Sequence, residues 1–251
     1  MGELVSVVMP VHNAAKYLEE AIRSVMSQTY GNWELLVVND NSTDDSLEIA
    51  NRLAAEDCRI RVYDNPTPTG YPATPRNMAV SLANGRYIAF LDSDDVWLPD
   101  KLEHQLPFFN ESRKIGVVFS DYEKVDEESN REERVVKARK ITTYRKLLLG
   151  NVIGNVTAMY DVERVGKVYF SMVRHEDYAM WLSILKRGFI ARNTGKVVAL
   201  YRVSDDSVSS RKMALLSWQW RIYRDIEHLS VLKSAYYYLN YAIRGFYKSM
   251  V

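Results

Sequence analysis

Over its first 120 residues the chain alternates short β-rich apolar runs with segments of helical period, and that alternation is the strongest limit on its fold. Leu4–Met9 reads as a strand, and the break at Pro10–Asn13 leads to apolar positions at Leu18, Ala21, Ile22, Val25 and Met26, one face of a helix that Asn13 can cap. Trp33–Val38 is a second strand, followed by a helix burying Leu47, Ala50, Leu53 and Ala54, and Ile60–Tyr63 is a short third strand. The proline-rich stretch Asn65–Pro75 excludes regular structure until Thr74 and Pro75 supply an N-cap and a first helical residue. The helix after them carries Met78, Ala79, Leu82 and Ala83, Gly85 stops it, and Tyr87–Leu91 is the fourth strand. Repeated strand–helix–strand units predict an α/β domain with a mostly parallel sheet and helices on both faces.

The rhythm loosens further on. Gly116–Ser120 reads as a strand, Glu123–Lys140 as a charged excursion, Thr143–Leu149 as a short helix and Asn155–Tyr160 as a strand. His175–Asp177 open an apolar helix through Trp181, Leu182 and Leu185 that stops near Gly188, and Ala191–Val203 is a strand pair or one long strand. These boundaries predict a catalytic domain over 1–210, divided into 1–115 and 116–210, and a helical extension over 211–251.

Composition excludes several classes. With 47% hydrophobic and 26% charged residues the chain is neither disordered nor a disulfide miniprotein, and a formal charge of +1 gives no field for nucleic acid. The single cysteine, Cys58, excludes internal disulfides and multi-cysteine metal sites and suits a reducing compartment. Neither a charged-then-apolar leader nor a run of about 20 apolar residues occurs, so a cytoplasmic location is expected, with the inner face of the cell membrane as a further option. The near-neutral total conceals an asymmetry. Residues 211–251 hold seven basic residues against Asp225 and Glu227, a net of +5, leaving −4 for the rest of the chain. The same segment is rich in Trp and Tyr, which suits either peripheral contact with a membrane interface or packing on the body; both readings stay open.

In a doubly wound sheet, ligands bind beyond the carboxyl ends of the strands where strand order reverses. Three polar breaks meet that description: Pro10–Asn13, Asn39–Asp44 and Asp92–Asp95. No Gly-x-Gly-x-x-Gly and no Gly-Lys-Ser/Thr loop is present, so the phosphate chemistry must differ from those motifs. Asp92 and Asp94, two residues apart at a strand end, supply hard oxygen ligands suited to Mg2+ or Mn2+ gripping a diphosphate, although an isolated pair of this kind can equally serve a following helix.

The ordered set Pro10-Val-His-Asn13, Asp40-Asn-Ser-Thr-Asp44, Pro75-Arg-Asn77, Gly85 to Asp95, His175-Glu-Asp177 and Tyr201-Arg202 with Ser207–Ser209 resembles the family 2 glycosyltransferases of the GT-A fold. The resemblance is dense over residues 4–100 and patchy to about 210. It implies inverting transfer of a sugar from a nucleoside diphosphate sugar, expected to be a UDP-sugar, to a hydroxyl of a glycan or lipid-linked acceptor in cell-surface polysaccharide synthesis. On that likeness Pro10, Val11, Asn13 and Ser93 shape the nucleotide pocket, Asp40 accepts from the uracil N3–H, and Arg76 reaches the nucleotide or diphosphate. Asp92 faces ribose and metal, Asp94 is the principal metal ligand, and Asp177 removes the acceptor proton. Glu176 is its rival, while His175 and Asp95 are support or acceptor contacts. The chain departs from the family pattern at Asn39, Asn41, Pro75 and Ser204, and the absence of Gln-x-x-Arg-Trp argues against a processive synthase. A sugar-phosphate nucleotidyltransferase and a catalytically inactive nucleotide-sugar-binding module are the alternatives; the first needs a basic Gly-rich N-terminal loop, where only Lys16 is found.

Overall fold

Seven consecutive residues, Val5–Val11, form β1, and their near-complete burial on both faces explains why the run is apolar without alternation. This is a computed structural model, described for residues 2–203 and 212–250. Helix α1 (Leu18–Met26) turns Leu18, Ala21, Ile22 and Val25 inward. Asn13 does not cap it, because the helix begins five residues later and Tyr17 stands at its N-cap. Strands β2 (Trp33–Asn39) and β3 (Ile60–Asp64) flank α2 (Ser46–Glu56). Helix α3 (Ala73–Leu82) starts earlier than the sequence predicts, with Pro72 at its N-cap. Pro75 remains in the first turn, where the missing N–H costs nothing. Gly85 lies beyond the helix end, and a Cβ there would stand 2.6 Å from the Ser6 nitrogen, so it serves a close approach to β1.

Strand β4 (Tyr87–Phe90) runs into the acidic turn, and β5 (Val96–Trp97) follows at once. After α4 (Lys101–Gln105) and a 3-10 turn (Leu106–Glu111), β6 (Ile115–Val125) pairs with β7 (Arg131–Val136). The charged excursion is therefore largely a hairpin. Short β8 (Ile141–Thr142) and α5 (Tyr144–Leu147) precede β9 (Met159–Asp161), which is shorter than its predicted run because Asn155–Thr157 form a 3-10 turn. Then come α6 (Val162–Val165), α7 (Glu176–Lys186) and β10 (Ile190–Arg202), one long irregular strand. The chain ends in α8 (Lys212–Arg221), a π-helical turn (Ile222–Ile226) and α9 (Val231–Met250).

Among the described residues ten strands form one sheet, ordered β3-β2-β1-β4-β9-β6-β10-β5 with β7 on β6 and β8 on β10. The pairs β3–β2, β2–β1, β1–β4 and β6–β10 are parallel, while β9 runs antiparallel between β4 and β6. One face packs α3, α7, Ile222 and Tyr223 against Val8, Leu36, Ile88 and Phe90; the other packs α1, α2 and Leu102 against Val7, Met9, Leu35 and Val37. Strand order reverses between β1 and β4, so the loops after β1, β2 and β4 open on the same edge.

Candidate functional site

At that edge lies a cleft of about 780 Å3, lined by Pro10, Val11, His12, Asp40, Arg76 and the whole acidic turn Asp92–Asp95, and on its far side by Arg174, His175, Glu176 and Asp177. Every site residue expected from the sequence lines it except Asn13. Asn13 has φ 48°, and its side-chain carbonyl accepts from the Thr43 N–H at 2.8 Å, pinning the loop after β2 to the loop after β1.

The floor beneath β1 and β2 is built from amides and carbonyls. Asp40 is buried, its N–H donates to Val11 O at 2.7 Å, and Asn65 donates its amide to the Asp40 carboxylate at 2.5 Å. His12 Nδ1–H donates to Asp40 O at 2.7 Å, so the imidazole braces the loop. Asn39 donates to Asp64 at 2.8 Å, an arrangement in which aspartate would set two carboxylates face to face. Asn41 takes the left-handed conformation, φ 60°, that glycine adopts at such a turn.

Arg76, on α3, joins the two sides of the cleft. Its guanidinium donates to Asp92 at 2.5 Å and to Glu176 at 2.6 Å, with a side-chain exposure of only 9%. Although burial opposes the charge, these carboxylates raise its pKa and keep it a cation. The Asp94 carboxylate makes no hydrogen bond or ion pair with another residue among the described ones. It opens into the cleft with protein packed around its other sides, and burial together with Asp92 pushes its carboxyl up to about 6. Asp95 is buried and accepts from the Arg202 N–H at 2.9 Å; burial, then Asp94 and Asp92, raise it well above the ordinary value.

Arg202 holds this turn in place. Its Nε–H donates to the Asp94 carbonyl at 2.8 Å, and its Nη groups reach Asp126 O at 3.0 Å and Ser129 Oγ at 2.9 Å in the β6–β7 hairpin, and Glu20 on α1 at 2.8 Å. Tyr201-Arg202 belongs to the set of residues that carries the family likeness, which does not reveal this wiring. Ser204 and Ser207–Ser209 lie outside the described residues.

Across the cleft, His175 occupies the N-cap of α7 with φ 59° and ψ 43°, and its buried Nε2 has no partner. Burial lowers the imidazole pKa, which keeps it neutral, and its ring meets Trp218 of α8 edge-on at 5.4 Å. Asp177 accepts one hydrogen bond from the Asn151 amide at 3.0 Å; burial first, and then Glu176, push its carboxyl up to about 6. Asn151 escaped sequence reasoning because it lies 26 residues from its partner in an irregular loop. Gly154 was missed likewise: a Cβ there would stand 2.7 Å from the Tyr122 ring, another part of the wall.

The unpaired Asp94 carboxylate offers a hard oxygen ligand, with Asp92 beside it, and this donor set fits Mg2+ or Mn2+. Among the described residues no group of three or more His, Cys, Asp or Glu side chains forms a metal cage. A hard ion that shares its shell with substrate phosphates is held by one or two carboxylates, so the residues present suit such an ion.

A nucleotide-type sheet with an acidic turn after β4, facing a carboxylate at the start of α7, is the layout of a GT-A glycosyltransferase. The family model for glycosyl transferase family 2 matches residues 6–166, and the chain belongs to that family. It is 38% identical over 240 residues to the putative teichuronic acid biosynthesis glycosyltransferase TuaG of Bacillus subtilis, covering 95% of this chain and 94% of the relative. It is 40% identical over 246 residues to the UDP-Glc:alpha-D-GlcNAc-diphosphoundecaprenol beta-1,3-glucosyltransferase WfgD of Escherichia coli, covering 98% and 94%. Among solved structures, S. aureus TarS 1-349 in complex with UDP superposes with a TM-score of 0.69 at 21% identity, covering 96% of this chain and 71% of that one. The mannosyltransferase PcManGT from Pyrobaculum calidifontis, in complex with GDP-Man and Mn2+, gives 0.69 at 18% identity, covering 93% and 69%. The protein is thus a glycosyltransferase of GT-A fold, and the nucleotidyltransferase and inactive-module readings fall away.

Proposed function

We propose that the protein transfers one sugar, with inversion, from a UDP-sugar to a hydroxyl of a lipid-linked glycan during cell-surface polysaccharide synthesis. The observation that carries this reading is the convergence in one cleft of the Asp94 carboxylate, which has no side-chain partner among the described residues, and the Asp177 carboxylate, which has no cation paired with it among them, on opposite walls. The WfgD name, with its UDP-linked donor and diphosphoundecaprenol acceptor, supports the substrate classes.

Pro10, Val11 and Ser93 form the nucleotide pocket, Asp40 accepts from the uracil N3–H, and Arg76 faces the diphosphate from the α3 side. Asp92 and Asp94 hold Mg2+ or Mn2+, which when bound neutralises charge on the departing diphosphate. Asp177 takes the acceptor proton from the face opposite the leaving group, as inversion requires. A thermal-shift series with UDP, GDP and Mn2+ tests the donor side. UDP with metal at about 100 times its Kd adds about 2.7 kcal/mol of stability. Stabilisation by GDP but not UDP removes the assignment of Asp40.

Residues 1–210 carry the catalysis and 211–251 form a membrane-facing extension. Among the described residues no helix is long and apolar enough to cross a membrane. Helix α9 exposes Leu232, Tyr236, Leu239 and Ile243 at helical spacing and has no acidic residue, and Arg145, Lys146 and Lys233 are exposed nearby in sequence or on the same helix. That pairing of apolar stripe and cations suits the anionic inner face of a cell membrane. In the 251-residue protein, L232E combined with L239E weakens binding to phosphatidylglycerol vesicles at least about a hundredfold, given about 1.5–3 kcal/mol for each buried leucine. Unchanged co-sedimentation would show that the stripe has another role.

A further inference from the structure

Two of the four Lys and Arg side chains lining the cleft are committed. Arg76 is paired with Asp92 and Glu176, and Arg202 is buried among the acidic turn, the hairpin and Glu20. Two others, Arg174 and Lys137, line the same cleft, are exposed, and have no carboxylate partner among the described residues. Lys137 extends from the end of the β6–β7 hairpin.

Arg174 is built in differently. Its guanidinium stands 5.6 Å from the centre of the Tyr71 ring and 5.7 Å from that of Trp218. Tyr71 belongs to the proline-rich loop before α3, and Trp218 to α8, which is tied to α7 by its contact with His175 and by Gln219 reaching the Tyr178 hydroxyl at 3.3 Å. Two aromatic faces hold the planar cation without spending its N–H donors, so the guanidinium edge remains able to form a forked pair with an oxyanion. It lies three residues before Asp177, on the wall away from Asp92 and Asp94.

We propose that Arg174, held between Tyr71 and Trp218 and assisted by Lys137, binds the phosphate of a diphosphate-linked acceptor sugar and so selects acceptors that carry that group. The inference rests on the functional reading above and names a recognition residue for it. Six carboxylates line this cleft, so a second anion entering beside the donor diphosphate needs its own uncommitted cation. Arg174 acts in acceptor binding and takes no part in the proton transfer at Asp177.

The test compares three acceptors with one sugar and one alkyl chain, joined through a diphosphate, through a single phosphate, or directly as a neutral glycoside. With the diphosphate acceptor, R174Q raises KM about tenfold to a hundredfold, the worth of a lost charge-assisted contact, while kcat stays within about twofold. R174K recovers part of the loss, because charge remains but the fork does not. The neutral glycoside shows the same KM in wild type and R174Q, and UDP affinity is unchanged. A larger effect with the monophosphate than with the diphosphate assigns the site to another phosphate ester and overturns the proposal. So do an equal effect on the neutral glycoside, weakened UDP binding, or no effect at all. Failure of the wild-type protein to transfer from any UDP-sugar, measured on the same acceptors, overturns instead the functional reading on which the inference rests.

Discussion

Asp177→Asn lowers turnover about 10³-fold, within the usual contribution of a positioned general base, and leaves UDP and metal binding intact. Asparagine keeps the side-chain oxygen that accepts from Asn151, so the N-terminal turn of α7 is undisturbed while the proton acceptor is lost. The rival carboxylate is Glu176, whose carboxylate is bound to Arg76 at 2.6 Å and is therefore committed to a cation. Because burial and Glu176 place the Asp177 pKa at about 6, the wild-type rate falls as pH drops through that value and the base becomes protonated. In Asp177→Asn, measured at saturating Mn2+ so that Asp94 stays ionised, the residual rate loses that limb. Near-normal turnover in the variant, with the acid limb retained, would transfer the role to another group. Isothermal titration with UDP alongside steady-state rates separates the two readings.

Asp94→Asn separates activity from stability. Metal-dependent transfer falls about 10²–10³-fold, as expected when several kcal/mol of charge neutralisation at a diphosphate are withdrawn. The protein without metal becomes more resistant to heat at pH 7. The Asp94 carboxyl, at about 6, lies above its ordinary 3.8. The native state therefore holds the proton more tightly than the unfolded state, and ionisation as pH rises from 3.8 through 6 erodes stability. The neutral amide does not ionise, so the gain over wild type builds from pH 3.8, is complete above about 6 and vanishes at low pH. Differential scanning calorimetry at two pH values, with and without Mn2+, measures both halves. A variant less stable than wild type at both would identify Asp94 as a structural support of the turn.

The parts of the fold legible in the sequence are those with local causes. Strands β1 to β4 and helices α1 to α3 announce themselves because a fully buried strand is a continuous apolar run and an amphipathic helix repeats every three to four residues. Two-residue strands such as β5 and β8 have too little length for a period. The β6–β7 hairpin is hidden by its charges, since Arg131, Glu132 and Arg134 are exposed. Helix α3 begins inside a proline-rich stretch because a first turn tolerates proline, and local composition does not separate that case from a loop.

The site divides along the same line. Motif residues such as Asp92, Asp94 and Asp177 were readable one by one, and the cleft brings them together. What joins them was unreadable: Arg76 reaches Glu176 across 100 residues, and no periodicity encodes a pair at that separation. Asn65, which holds Asp40 from 25 residues away, is another example.

The Arg202 anchor also has a bearing on biosynthesis. The acidic turn follows a strand that can emerge from the ribosome early, yet its fixing bond to Asp95 spans 107 residues and the arginine's bond to Glu20 spans 182. A nascent chain that has completed β1 to β4 therefore presents Asp94 and Asp95 on a loop whose side-chain tie is Arg76 to Asp92, without the Arg202 bonds that fix the turn. The acidic turn is anchored only when β10 docks, so termination after the acidic turn but before residue 202 yields a chain with the first four strands but without the bond that fixes the turn.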